Sequence, residues 1–128
     1  MLDARYREVD YYHFRKFNNW FEKLLFEAGI QSGIESNHPA LDCDNFAMLY
    51  KSLMGVSAYK SDDKYEMGVA VVVVRQVNEF GGIPASGGLH MVNLVFTNQG
   101  WLILEPQTMK HIKLENYPNQ EYVQYMIL

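Results

Sequence analysis

Residues 90–107 read "HMVNLVFTNQGWLILEPQ", and this stretch decides the fold. Two apolar runs flank the short segment "NQG", which is the pattern of two β-strands joined by a tight hairpin turn. A further run, "YEMGVAVVVVRQV" at residues 65–77, is rich in valine and predicts a central strand. The predicted strands are residues 65–77, 90–97, 101–107, 110–114 and 121–128.

Two segments ahead of the strands show helical spacing. In residues 10–28, apolar side chains recur every three or four positions, and Gly29 follows where a helix C-terminal glycine is expected. In the second segment Asp42 can cap a helix start, and we predict that the helix ends at Gly55. Its apolar stripe consists of Cys43, Phe46, Ala47, Tyr50, Leu53 and Met54.

Helices followed by strands predict an α+β fold, in which N-terminal helices pack on an antiparallel sheet. The chain has 128 residues, which suits a single domain spanning residues 1–128. Because 48% of the residues are hydrophobic and only 20% are charged, the composition is that of a globular protein rather than a disordered one.

Composition also excludes several classes of protein. One cysteine excludes an intrachain disulfide framework and suits a reducing interior, and a net charge of −4 argues against a nucleic-acid partner. The N-terminus has no apolar signal-peptide core, and the apolar run "GVAVVVV" at residues 68–74 is too short to span a bilayer. We therefore expect a cytoplasmic protein with no membrane partner, no metal and no cofactor, and the sequence leaves an oligomer open.

Cys43, His90 and Glu105 form the candidate catalytic set. A cysteine nucleophile needs a thiolate, an imidazole base and a group that orients the imidazole, and these residues occur in that order. Acids flank the thiol in "ALDCDNFA" at residues 40–47, and negative charge disfavours a thiolate. A helix start resolves this conflict, because Asp42 then faces backbone N–H groups and Asp44 points off the stripe. The alternative is that Cys43 is only a core residue.

The hairpin register decides whether His90 can meet Glu105. If Thr97 pairs with Gly100, Val92 faces Glu105 and His90 becomes the diagonal neighbour of Glu105 on the same face. A slip of one residue would put the two side chains on opposite faces of the sheet. In either register Asn93 lies on the face opposite His90, where a structural role is expected.

Two stretches resemble the transglutaminase-like cysteine hydrolases. "LDCDNFAMLYKSLMG" is similar to the family's nucleophile segment, and "GLHMVNLVFTNQGWLILEPQT" is similar to its histidine and acid motifs. The second stretch matches those motifs through His90, Gly100, Trp101, Glu105, Pro106 and Thr108, with Gln107 inserted. The resemblance implies a papain-like core in which a helix-borne Cys43 meets His90 and Glu105. Glu105 stands where the family has an aspartate, and Asp42 stands where a small residue is usual.

Other residues are candidates for supporting roles around the nucleophile. Asn37 and Gln31 are candidate oxyanion-hole donors, together with the backbone N–H of Cys43. The glycine-rich segment 78–89 is predicted to be a mobile loop that serves as a lid or substrate rim, or only as a connection. Its rim candidates are Gly81, Gly82, Gly87 and Gly88, joined by Trp101, which is predicted to be core and could also floor the site.

The sequence thus predicts a small cysteine-dependent hydrolase or acyltransferase, of the protease, deamidase or transglutaminase type, acting on a peptide, amide or acyl substrate. An alternative is a non-catalytic binding protein on the same fold, such as a virus-encoded factor that inhibits a host component. A third is a capsid- or tail-associated structural protein of a phage, with exposed aromatic residues at an oligomer interface.

Overall fold

The helices precede the main sheet along the chain, as the sequence predicts for an α+β fold. A computed structural model describes residues 6–30, 42–60 and 66–128. The elements are β1 (Tyr6–Arg7), α1 (Tyr11–Glu27), α2 (Cys43–Lys60), β2 (Glu66–Met67), β3 (Val69–Arg75), β4 (Leu89–Thr97), β5 (Gly100–Glu105), β6 (Lys110–Lys113) and β7 (Val123–Ile127), with short 3-10 helices at Leu114–Asn116 and Gln120–Tyr122.

Five strands form one antiparallel sheet in the order β6-β5-β4-β3-β7. The valine-rich β3 has a neighbour on each side, although β4 rather than β3 occupies the middle of the sheet. All residues of β3 except Arg75 are buried, which explains why valine occurs here without alternation with polar residues. The two-residue strands β1 and β2 pair separately and in parallel.

Helix α1 begins and ends within one residue of the predicted bounds. The Asp10 carboxylate accepts a hydrogen bond from the His13 backbone N–H at 3.2 Å, which caps the helix start. Gly29 follows the helix with a φ of +77°, a backbone conformation that favours glycine. Of the regularly spaced apolar residues in this helix, Phe17 and Phe21 are buried, whereas Trp20 is half-exposed.

Helix α2 begins at Cys43, and most of its predicted stripe is buried. The predicted end at Gly55 is wrong, because the helix continues to Lys60. Gly55 is exposed, and a Cβ at this position would meet nothing within 4 Å. A glycine in a helix interior costs about 1 kcal/mol relative to alanine, a penalty that the packing of the preceding turns can offset.

The sheet has a core on each face. The helix-facing core packs α1 and α2 against the sheet through Phe14, Phe21, Phe46, Tyr50, Val69, Val95, Leu102 and Leu104. The opposite core contains Val72, Val74, Phe80, Val92, Ile103 and Tyr117. Neither helix in the described part of the chain combines the length and the apolar character needed to cross a membrane.

Candidate active site

The observed hairpin register is the one that allows His90 to meet Glu105. Thr97 pairs with Gly100, and the ladder continues in the same register to the pair Asn93–Leu104. His90 lies three residues beyond that last pair, where β4 is still paired with β3 through Val74. The His90 ring nitrogen Nε2 is hydrogen-bonded to Glu105 Oε1. The conditional prediction from the turn sequence is therefore confirmed.

Glu105 is completely buried, and both of its carboxylate oxygens have partners. Oε1 faces His90, and Oε2 accepts a hydrogen bond from the Gln107 backbone N–H at 3.1 Å. The chain turns directly after β5, where the Met109 N–H donates to the Glu105 carbonyl at 2.7 Å. This turn holds the carboxylate in one orientation. Gln107 was missed as a site residue, although its insertion into the matched motif was the available signal.

His90 is 7% exposed and contacts both partners of the predicted set. Burial lowers the pKa of His90, but a hydrogen bond with the Cys43 side chain, a hydrogen bond with Glu105 and the negative charges of both outweigh it. Together they raise the pKa of His90 from 6.5 to about 9. The imidazolium form is therefore favoured at neutral pH. Because Nε2 is engaged by Glu105, the ring nitrogen left for the thiol is Nδ1.

Cys43 is the first residue of α2 and is partly exposed, whereas His90 and Glu105 are buried. The free N–H groups and the dipole of a helix start favour a negative charge on its first residues, typically by about 0.3–1 kcal/mol. A thiol here can thus be reached from solvent while its partners are shielded from water. This combination is the one that a nucleophile with a desolvated base requires.

Asp42 occupies the N-cap position, but its Oδ1 does not make the predicted capping bond. Its carbonyl accepts the first helical bond, from the Phe46 N–H at 3.2 Å, and its own N–H donates to Asn45 Oδ1 at 3.0 Å. Among the described residues, Asp42 Oδ1 is buried without a hydrogen-bond partner, so this oxygen caps nothing. Asn45 closes the helix start instead. Asp44 is exposed, as its position off the stripe predicts.

The glycine-rich segment is held by hydrogen bonds at several points, and its role as a lid or substrate rim stays a prediction. Buried Gln76 holds the segment at several points: its N–H donates to the Gly88 carbonyl, and its carbonyl accepts from the N–H groups of Ser86 and Gly87. Gly87 and Gly88 are exposed and lead into β4 just before His90. Gly82 is held by Glu79, whose carboxylate accepts the Gly82 N–H at 2.9 Å.

Gly81 packs directly against the acid of the site. A Cβ at this position would lie 3.1 Å from the Glu105 Cβ and 3.3 Å from the Lys110 Cβ. The Thr108 hydroxyl also donates to the Gly81 carbonyl at 2.6 Å. The segment therefore packs against Glu105 at Gly81. The role of Gly81 as a substrate rim stays a prediction.

Gly81→Ala is expected to destabilise the fold more than Gly82→Ala, by about 1 kcal/mol or more, because only Gly81→Ala adds a clash with Glu105. Both glycines have a positive φ, +61° and +87°, so both variants carry similar backbone strain. The nearest atom to a Cβ at Gly82 is Thr108 Cγ2 at 3.7 Å, an ordinary contact. Urea unfolding of both variants measures the difference. Equal losses of unfolding free energy in the two variants would show that the contact with Glu105 does not add to the destabilisation.

Trp101 does not floor the site. It packs on Phe96 with a ring-centroid distance of 4.7 Å and lines a separate cavity of about 320 Å³ with Leu94 and Ile103. It lies four residues from Glu105 along β5, roughly 13 Å away at the normal strand rise. Sequence adjacency within a motif suggested the assignment, but strand geometry separates the two side chains. The proposed oxyanion donors Asn37 and Gln31 lie outside the described residues.

The comparisons with known proteins identify no family. No protein-family model matches the chain, and no curated protein is significantly similar to it. A functional proposal therefore rests on the geometry of Cys43, His90 and Glu105 and on the motif residues that carry the resemblance.

Proposed function

We propose that the protein is a cysteine-dependent hydrolase or acyltransferase of the transglutaminase-like type. One observation carries the proposal: the buried His90 ring is hydrogen-bonded to Glu105 and interacts with the Cys43 side chain, which raises the pKa of the ring. The three residues come from three elements, α2, β4 and β5. Packing of a hydrophobic core does not explain why a histidine lies beside both a thiol and a buried carboxylate, whereas such groups are typical of functional sites.

In the first half of the reaction, the Cys43 thiolate attacks the substrate carbonyl carbon and forms a tetrahedral intermediate. Its collapse expels an amine, alcohol or thiol, and the His90 imidazolium gives that leaving group a proton from Nδ1. The product remaining on the protein is a thioester between Cys43 and the acyl group. The pKa of His90 near 9 supports this step, because the proton is present on the ring at neutral pH.

In the second half, neutral His90 takes a proton from water or from an amine as it attacks the thioester. The Cys43 thiolate leaves, and His90 is again an imidazolium. Water gives hydrolysis or deamidation, whereas an amine gives acyl transfer. Glu105 holds the ring through Nε2 and leaves Nδ1 for the proton exchange with the thiol and the substrate.

The substrate class follows from this chemistry: a peptide, amide, ester or thioester carbonyl that reaches the partly exposed Cys43. A nucleophilic thiol stays active in a reducing compartment, which supports a cytoplasmic location. No step needs a cofactor, since the thiol, imidazole and carboxylate supply the nucleophile, the proton and the orientation.

An activated ester tests the function directly. With p-nitrophenyl acetate at pH 6.5, we expect a burst of p-nitrophenol and the mass of one acetyl group on Cys43. An ordinary thiol is only about 1% ionised at this pH and reacts slowly, so a fast reaction identifies an activated thiol. Cys43→Ala should show neither signal. Acetylation of Cys43 no faster than that of free cysteine would contradict the proposal.

A further inference from the structure

Asn93 is a fully buried amide in the interface between α2 and the sheet. Its Nδ2 donates to the Ala47 carbonyl at 3.0 Å and to the Ala70 carbonyl at 3.3 Å. Ala47 belongs to α2 and Ala70 to β3, so one side chain on β4 connects three elements. Its Oδ1 is also buried and has no hydrogen-bond partner among the described residues.

This amide is poorly explained by stability alone. On the helix-facing side of the hairpin its neighbours are apolar, including Val95 on the same strand and Leu104, its partner on β5. Burying an amide oxygen without a donor is unfavourable, and an apolar residue of similar volume avoids that loss. Departures from local rules of this kind concentrate at functional sites.

The position of Asn93 connects the two halves of the proposed active site. Ala47 lies one helical turn after Cys43 on the same buried stripe, and Asn93 lies three residues after His90 on β4. Asn93 points to the face opposite His90, so it contacts the helix and not the imidazole. It therefore joins the element that carries the thiol to the strand that carries the base.

We propose that Asn93 is a positioning residue that fixes α2 along β4, so that the Cys43 sulfur meets Nδ1 of His90. Apolar packing is non-directional and tolerates small sliding movements of a helix on a sheet. Two hydrogen bonds from one planar amide are directional and define a single position. A displacement of about 1 Å at reacting groups can cost on the order of a hundredfold in rate. The inference rests on the proposed function, because it assumes a reactive pair at Cys43 and His90.

Asn93→Leu tests the proposal, with Val71→Ala as the matched control. Val71 lies on β3, pairs with Asn93 of β4 and is also fully buried. Val71→Ala removes side-chain packing but leaves both hydrogen bonds of the Asn93 amide intact. The measurement is the rate of Cys43 alkylation by iodoacetamide between pH 5 and 10, with the melting temperature recorded for each variant. We expect Asn93→Leu to lose about tenfold or more of the rate at pH 6.5 with its melting temperature maintained. Val71→Ala should melt earlier and keep the wild-type pH profile.

The possible results distinguish the positioning role of Asn93 from the proposed function on which it rests. A wild-type pH profile in Asn93→Leu overturns the positioning role and leaves the reactive pair standing. A wild-type chain whose alkylation does not depend on His90 overturns the proposed function itself. If Asn93→Leu does not fold, Asn93→Thr decides, because its hydroxyl can keep one of the two bonds. If Asn93→Thr is alkylated more slowly at pH 6.5 than Val71→Ala, the result supports the proposal. Equal alkylation rates in the two variants overturn it.

Discussion

His90→Gln is expected to slow the alkylation of Cys43 by iodoacetamide about a hundredfold at pH 6.5. The thiolate is the form of cysteine that iodoacetamide alkylates, and a neighbouring imidazolium favours that form. His90 is placed for this pairing by its hydrogen bond with the Cys43 side chain, and its pKa of about 9 keeps it charged at pH 6.5. The second-order rate constant, measured by intact mass, reports the fraction of thiolate.

His111→Gln is the control for this experiment. His111 lies on β6, and its ring packs against Phe14 with a centroid distance of 5.2 Å. It contacts neither Cys43 nor Glu105 in the described structure, so its replacement should leave the rate unchanged. Equal rates in wild type and His90→Gln, with both proteins folded by circular dichroism, would rule out the reactive pair.

Glu105→Gln is expected to lower the pKa of His90 from about 9, because a close carboxylate favours the imidazolium. The sign follows from the charge: a carboxylate beside the ring favours the imidazolium and raises its pKa, so removing the charge lowers it. Because Glu105 is completely buried, solvent does not screen this interaction strongly. The variant keeps the shape of the side chain and therefore isolates the charge. Titration of the His90 ring by NMR measures the shift.

Glu79→Gln is the matched control for the titration. Glu79 is an exposed acid whose carboxylate binds the Gly82 N–H in the loop beside Glu105, but it does not contact His90. Its replacement should leave the titration of His90 in place. A pKa in Glu105→Gln that equals the wild-type value would show that the carboxylate does not stabilise the imidazolium.

The parts of the site that local pattern encodes were predictable. The turn sequence "NQG" set the register that pairs Thr97 with Gly100, and this register alone brings His90 and Glu105 to one face. Helical spacing placed Cys43 at the start of α2, where the structure has it. Local pattern failed at Gly55, because the packing of a whole helix outweighs the preference of one exposed glycine.

The parts that depend on long-range contacts were not predictable from spacing. The contact of Gly81 with Glu105 arises only when the glycine-rich segment folds over the sheet. The bond from Asn93 to Ala47 needs the helix and the sheet to be packed together. The alternation of side chains along β4 correctly predicted that Asn93 and His90 lie on opposite faces of the sheet. It could not predict which carbonyl of the helix accepts the hydrogen bond from the Asn93 amide.

Titration of the His90 ring in the wild-type chain tests the central claim most directly. We expect a pKa of about 9 for His90, and a lower value in Cys43→Ala, because the interaction with Cys43 is one of those that raise it. A pKa near 6.5, the same in wild type and Cys43→Ala, would contradict the reactive pair and the function proposed from it.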